Sequence, residues 1–237
     1  AIIAMAGALL ATALLGSEVE GAERWVSLGG LTIQPSLILL PAMLVAFSCT
    51  RSVQATAGIV AAAAAMALQP DRAMAGMLVL CIAVLLLTRR DRHVVVALTA
   101  SVIGFAATLV RADTLPAAPY VDQILYSSFT IHAGAGLAVS GGLALLLVPA
   151  IVGLCRDSEN RATYAAFGAV WFAAIMAAAL GNYPTPIVGY GGSAIIGYAL
   201  SLFTLPRRAE VRAAVGSQTP GTTDEASSDR HPLIALA

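Results

Sequence analysis

Apolar runs of helix length alternate with short polar or Pro/Gly-rich breaks from residue 1 to about residue 205. Eight runs stand out, at about 1–15, 36–50, 53–68, 74–88, 93–110, 123–154, 162–180 and 190–205, and each predicts a helix. A bilayer span takes about 20 residues, roughly 17–25 being usual, so several of these are short. The sixth is long enough to tilt strongly or to begin as an interfacial helix. No strand alternation and no internal repeat is visible. The predicted fold class is therefore all-α, a polytopic transmembrane bundle of about eight segments. Ala-rich stretches such as AGIVAAAAAMAL suit close helix packing through small side chains.

Composition strengthens this reading. Of the 237 residues, 59% are hydrophobic and only 11% charged, and the mean hydropathy is +0.85. Soluble domains carry about 25% charged residues, so this chain has too little polar surface to cover a water-facing globule. The net charge is zero, every basic residue is Arg, and no basic patch argues for nucleic acid. Cys49, Cys81 and Cys155 lie in or beside apolar runs without CxxC spacing and read as buried thiols. The chain opens AIIAMAGALL, without Met or the basic flank of a signal peptide, as a piece beginning inside a larger membrane protein or a short version of one would. The expected division is a membrane domain over 1–208 and a tail over 209–237. The tail's Ser, Thr, Gly, Pro and charge predict disorder.

The connections alternate in charge. Arg51, then Arg89, Arg90 and Arg92, then Arg156 and Arg161, then Arg207, Arg208 and Arg212 occupy one set; the other holds only Arg24, Arg72 and Arg111. The positive-inside rule makes the first set cytoplasmic, sends residues 1–15 outward and leaves the tail inside. The unusual stretches then all face outward: GAERWVSLGGLTIQPS (21–36), QPDRA (69–73), RADTLPAAPYVDQ (111–123) and GNYPTPIVGYGGS (181–193).

Three of these strings carry a family resemblance. EVEGAERWVSLGGLTIQPS resembles the hallmark of the SEDS family (FtsW/RodA), broadly G-A-x-R-W-[IL]-x-L-G followed by Q-P-S-E. LQPD at 68–71 resembles the family's Q-P-D at the outer end of a later helix. YPTPIVGYGGSAIIGY resembles its P-x-P-[FIL]-x-x-Y-G-G-S before the last helix. All three occur in the family's order at matching topological places. The resemblance covers about residues 1–206 and corresponds to the third through tenth helices of a ten-helix fold. It implies a peptidoglycan glycosyltransferase of the bacterial cytoplasmic membrane that polymerises undecaprenyl-diphosphate-linked lipid II at the outer face, with a class B penicillin-binding protein, in cell division or cell-shape maintenance. Such chemistry needs a base near the acceptor hydroxyl, cationic or hydrogen-bonding groups for the departing diphosphate, and a groove for membrane lipid tails.

Asp122, in PYVDQIL, falls where the family has its T-D-F-I-F aspartate and is the expected catalytic base. The plainer reading is a helix-start charge favoured by the macrodipole. Asp113 is the nearby competitor, and the family's preceding P-E-x-H-T has no counterpart in LPAAPYV. Arg24 and Trp25 match the family's R-W; Trp25 suits a donor sugar or lipid, or simply an aromatic-belt anchor. Arg24, Arg72 and Arg111 are candidates for a diphosphate cradle, since arginine forks bind phosphate well. Gln34, Pro35 and Ser36 match Q-P-S, but Leu37 replaces the family Glu and Leu40 the basic residue three further on. Asp71 matches the Q-P-D aspartate, against a reading as the cap of the next helix. Tyr190, Gly191, Gly192 and Ser193 match Y-G-G-S, where the glycines permit close backbone approach and Ser193 can cap the last helix. Pro184 and Pro186 stiffen the same loop.

His132, about ten residues into the sixth segment, heads a polar patch with Ser127, Ser128 and Thr130 and is expected to form a helix–helix hydrogen bond. His93 belongs with the inner arginines. No metal or organic cofactor motif is present, and a divalent cation alongside the diphosphate stays open. Two alternatives remain: a non-catalytic scaffold binding a penicillin-binding protein or divisome partner, and a lipid II flippase. A flippase calls for polar residues through the bilayer rather than at one surface.

Overall fold

The computed structural model describes residues 1–19, 22–28, 31–110, 122–186, 188 and 192–206. Helix α1 (Ile2–Leu15) leads into strands β1 (Ser17–Val19), β2 (Ala22–Leu28) and β3 (Leu31–Ile33). Then come α2 (Pro35–Cys49), α3 (Val53–Leu68), α4 (Arg72–Thr88) and α5 (Arg92–Val110). The remaining helices are α6 (Ile124–Ile131), α7 (Ala133–Leu145), α8 (Val148–Arg156), α9 (Arg161–Leu180) and α10 (Gly192–Phe203). The chain is an all-α, multi-pass membrane protein. Arg92–Val110, Ala133–Arg156 and Arg161–Leu180 are long and apolar enough to cross a bilayer, and the rest of the bundle is built from shorter apolar helices.

Local chemistry sets the helix starts. Pro35 occupies the first turn of α2, where a missing N–H costs nothing. Ser52 and Asp71 cap α3 and α4 by accepting from the N–H groups of Ala55 (3.1 Å) and Met74 (3.1 Å). Helix α4 buries a single stripe, Met74, Met77, Leu78, Cys81, Ile82 and Leu85, against α9. Helices α2 and α9 bury several faces and form the centre, with Phe47, Phe167 and Trp171 fully enclosed. By contrast α5, α7 and α8 expose Val102, Ile103, Leu137, Ile151 and Val152, the surface a lipid-facing helix presents. Gly104 lets α5 reach α3 closely: a Cβ there would stand 2.9 Å from the Ala63 carbonyl oxygen.

Several expectations change. Cys49 and Cys155 are exposed, and Cys81 alone is the buried thiol expected of all three. The strands, absent from the sequence reading, form an antiparallel meander, with Ser17 opposite Trp25 and Val26, Ser27 and Leu28 opposite Ile33, Thr32 and Leu31. The sixth apolar run is three helices rather than one. Its first break is at His132, whose backbone is extended and whose Nδ1 accepts from the Gly134 N–H at 3.0 Å. His132 is thus the N-cap of α7 rather than a bridge to another helix. The second break, at Leu146 and Leu147, precedes Pro149, which lacks an N–H and whose ring would collide with the carbonyl four residues earlier. Tyr198 on α10 donates its hydroxyl to the Leu146 carbonyl at 3.2 Å, satisfying a group that water cannot reach in a bilayer.

The contacts sort the polar groups into two ends. At one end Arg51 pairs with Asp91 (3.0 Å), Thr56 bonds His93 (2.9 Å) and Cys49 meets Thr163 (3.4 Å). Arg89, Arg90, Arg92, Arg156 and Arg161 are exposed there. The other end gathers the motif residues.

Candidate functional site

Helices α2, α4 and α10 have 15, 17 and 12 residues, and so span roughly 18–26 Å at 1.5 Å per residue. Where they start, short of a full bilayer span, polar side chains buried within the bundle bond across them. The Gln34 N–H donates to Ser193 Oγ at 3.0 Å, joining α2 to α10. The Gln34 side-chain amide donates to Asp71 Oδ2 and to Ser36 Oγ, each at 3.2 Å, and the Ser36 hydroxyl donates to Asp71 Oδ2 at 3.4 Å. The other Asp71 oxygen caps α4. Relative exposure is 2% for Gln34, 1% for Ser36, 0% for Asp71 and 8% for Ser193, so this is an internal knot rather than a water-facing surface. Without Asp71 the Ser36 hydroxyl and the Met74 N–H would lose their acceptor.

Gly197 permits the α2–α10 contact, because a Cβ there would collide with the Leu37 carbonyl oxygen. Leu37 and Leu40, standing where the resemblance puts ionisable groups, are buried core residues at 4% and 0% exposure.

Next to the knot, the Tyr183 hydroxyl accepts from the Ala73 N–H at 3.3 Å, which brings the connection after α9 onto the first turn of α4. Arg72 is half-buried and donates from Nε to the Thr108 carbonyl at 3.2 Å, in the last turn of α5. A cation there also suits the negative end of the α5 dipole. Gln69 reaches the Leu9 carbonyl of α1 at 3.2 Å.

Asp122 is half-buried and forms an antiparallel bridge with Pro184, the residue after Tyr183. It precedes α6 and shares no helix with His132. Trp25 is half-buried in β2, and the sheet leads through Ile33 directly into Gln34. Gly192 is exposed and opens α10. Arg24 lies on β2 with its side chain outside the described part. Arg111, Tyr190 and Gly191, like the competitor Asp113, lie outside the described residues.

The structure therefore joins Gln34, Ser36, Asp71 and Ser193 directly, with Pro35 setting the start of α2 and Arg72 the start of α4. It links Asp122 to them through Tyr183 and Pro184. Sequence reasoning missed Tyr183, Gln123, Asn182 and Tyr126. The polar cluster in GNYP was the available signal, but loop amides have no periodicity to reveal a partner.

No protein-family model matches the chain, and no curated protein matches it. Among solved structures, it is similar to the crystal structure of the Thermus thermophilus rod shape determining protein RodA. The TM-score is 0.53 at 23% identity, covering 85% of this chain and 75% of that one. The likeness is one of fold: a polytopic helical membrane bundle of the RodA kind.

Proposed function

We propose that the protein is a peptidoglycan glycosyltransferase that polymerises lipid II at the outer face of the bacterial cytoplasmic membrane, in cell division or cell-shape maintenance. The observation carrying this reading is the meeting of the three motif strings: Gln34 bonds Asp71, 37 residues on, and Ser193, 159 residues on. The RodA-like fold supports it.

In this reading the hydroxyl oxygen of an incoming lipid II attacks the anomeric carbon of the growing glycan. Its proton passes to the Asp122 carboxylate. The bond from the anomeric carbon to the phosphate oxygen breaks, and undecaprenyl diphosphate leaves with the electron pair. Arg24, Arg72 and Arg111 supply positive charge for that diphosphate. Trp25, Tyr190, Gly191 and Gly192 contact the donor's sugar or lipid. Gln34, Ser36, Asp71 and Ser193, buried and mutually bonded, support the site from beneath, and Pro35 fixes the start of α2. Residues 1–208 form the membrane domain, 209–237 a cytoplasmic tail, and a class B penicillin-binding protein is the partner.

The test is polymerisation of purified lipid II by the protein in complex with that partner. Asp122→Ala and Asp122→Asn should each abolish glycan product while leaving thermal unfolding close to wild type. Undiminished product from either removes the assignment.

One observation favours a second reading, a non-catalytic scaffold. Leu37 and Leu40 make an apolar core where the family resemblance calls for two ionisable groups. A cell-wall defect on gene deletion that Asp122→Ala fully complements would favour the scaffold.

A further inference from the structure

The start of α6 is bonded to the end of α9 and to the connection that follows it. Asp122 bridges Pro184. Gln123, the next residue, has φ 56° and ψ 18°, the left-handed region that favours glycine. It gives α6 no side-chain cap. Instead its Nε2 donates across the gap to Asn182 Oδ1 at 2.8 Å. One turn on, the Tyr126 hydroxyl donates to the Ala179 carbonyl at 2.6 Å, in the last turn of α9 where carbonyls lack helical partners. All three contacts land on residues 179–184.

Beyond these bonds α6 packs on α7, with Phe129 against Gly136 and Leu125 against the core. It has eight residues, and Tyr126, Phe129 and Ile131 are exposed at 56%, 46% and 81%. An isolated helix so short is unstable, so tertiary contacts decide where it sits. The segment it grips is anchored in turn, through Tyr183 and Ala73, to the start of α4. The left-handed turn at Gln123 sends α6 away from the bridge while Asp122 remains extended beside Pro184.

We propose that the Gln123–Asn182 amide pair is a positioning element: it fixes the Asp122 carboxylate against the α9–α10 connection, at the height set by the buried knot. The inference rests on the reading of Asp122 as the base. The pair lies at the surface, so its worth to stability is small and its effect falls on geometry. Misplacing a reacting group by about 1 Å can cost up to about a hundredfold in rate. Gln123→Ala and Asn182→Ala should each lower kcat about tenfold, with KM within about twofold and the unfolding temperature nearly unchanged. The double variant should be no worse than either single one, because both remove the same bond. Gln123→Gly keeps the left-handed backbone but loses the amide, and should fall with Gln123→Ala. Exchanging the two, Gln123→Asn with Asn182→Gln, preserves the combined reach and should recover kcat to within about twofold of wild type.

In a background with Cys49, Cys81 and Cys155 replaced by Ala, Gln123→Cys with Asn182→Cys should be joined by a short bifunctional maleimide in membranes. That result reads geometry whatever the reaction. Wild-type kcat in both amide variants, beside a dead Asp122→Ala, overturns the positioning role. So do losses of activity that track losses of stability, or a failure to crosslink. Full polymerisation by Asp122→Ala instead defeats the catalytic reading, while crosslinking still reports the contact.

Discussion

The two ends of the bundle solve the same problem in opposite ways. At the motif end, Asp71 caps α4, and side chains buried to 8% exposure or less bond one another and the Gln34 N–H across α2, α4 and α10. At the arginine end, the groups are mostly exposed, and Arg51 and Asp91 form a half-open ion pair at 19% and 35% exposure. Water and lipid headgroups complete the polar bonding there. The motif end bonds most of its own groups internally, as a low-dielectric interior favours, and leaves Gln34 Oε1 and Thr185 Oγ1 buried without a partner. The comparison teaches that the motif strings are legible as motifs because they must agree with one another, whereas the arginines need only be on the correct side.

The largest effect should come from cutting the knot at Asp71. Asp71→Ala strands the Ser36 hydroxyl and the Met74 N–H and leaves the Gln34 amide only its bond to Ser36 Oγ. An unsatisfied buried group costs about 1–3 kcal/mol and a lost cap about 1, so a loss of about 3 kcal/mol is expected after partial relaxation. Thermal unfolding of the detergent-solubilised protein measures it. Wild-type unfolding would mean that the motif end is no more interdependent than the arginine end.

A smaller loss should follow from prising the two sides of the knot apart. A leucine at Gly197 cannot share space with the Leu37 carbonyl, so Gly197→Leu must move α10 off α2, at about 1–3 kcal/mol for overpacking. The Ser193–Gln34 bond should go with it, and hydrogen exchange at the Gln34 amide should quicken. Gly141→Leu is the control: a Cβ there meets nothing within 4 Å, and the change should stay within about 0.5 kcal/mol. Equal effects at the two glycines would deny the close approach.

Much of the fold was legible because the same residues that end apolar runs also begin helices. Pro35 and Asp71 are sequence signals that also mark helix starts, Pro35 in the first turn of α2 and Asp71 as the cap of α4. The sixth run was misread because hydropathy reports what lipid tolerates, not whether a helix continues. Pro149 was the visible warning, and Tyr198 repairs the break from 52 residues away, beyond any periodicity. The strands span only three to seven residues, too short for alternation to register, although Gly29-Gly30 between Leu28 and Leu31 is a dipeptide that tight hairpins favour. At the site, neither composition nor spacing pairs Gln34 with Asp71 or Ser193; only the order of the motif strings hinted at it. The Gln123–Asn182 contact had no such order to betray it.

The smallest effect tests the arginine end and separates two roles held by one residue. Asp91 pairs with Arg51 through Oδ2 and caps α5 through Oδ1, which accepts from the Val94 N–H at 3.0 Å. Arg51→Ala removes the ion pair and a long bond of 3.4 Å to the Ser48 carbonyl, leaving the cap in place. Exposed pairs contribute about 0.2–1 kcal/mol, so Arg51→Ala should cost about 0.5 and Asp91→Ala about 1 more for the cap. Salt distinguishes the two terms, because it screens the pair and leaves the cap's hydrogen bond largely intact. Raising the ionic strength should therefore shrink the Arg51→Ala deficit toward zero while Asp91→Ala keeps most of its own. A salt-independent Arg51→Ala deficit as large as that of Asp71→Ala would show a network at this end too, and the contrast between the two ends would be lost.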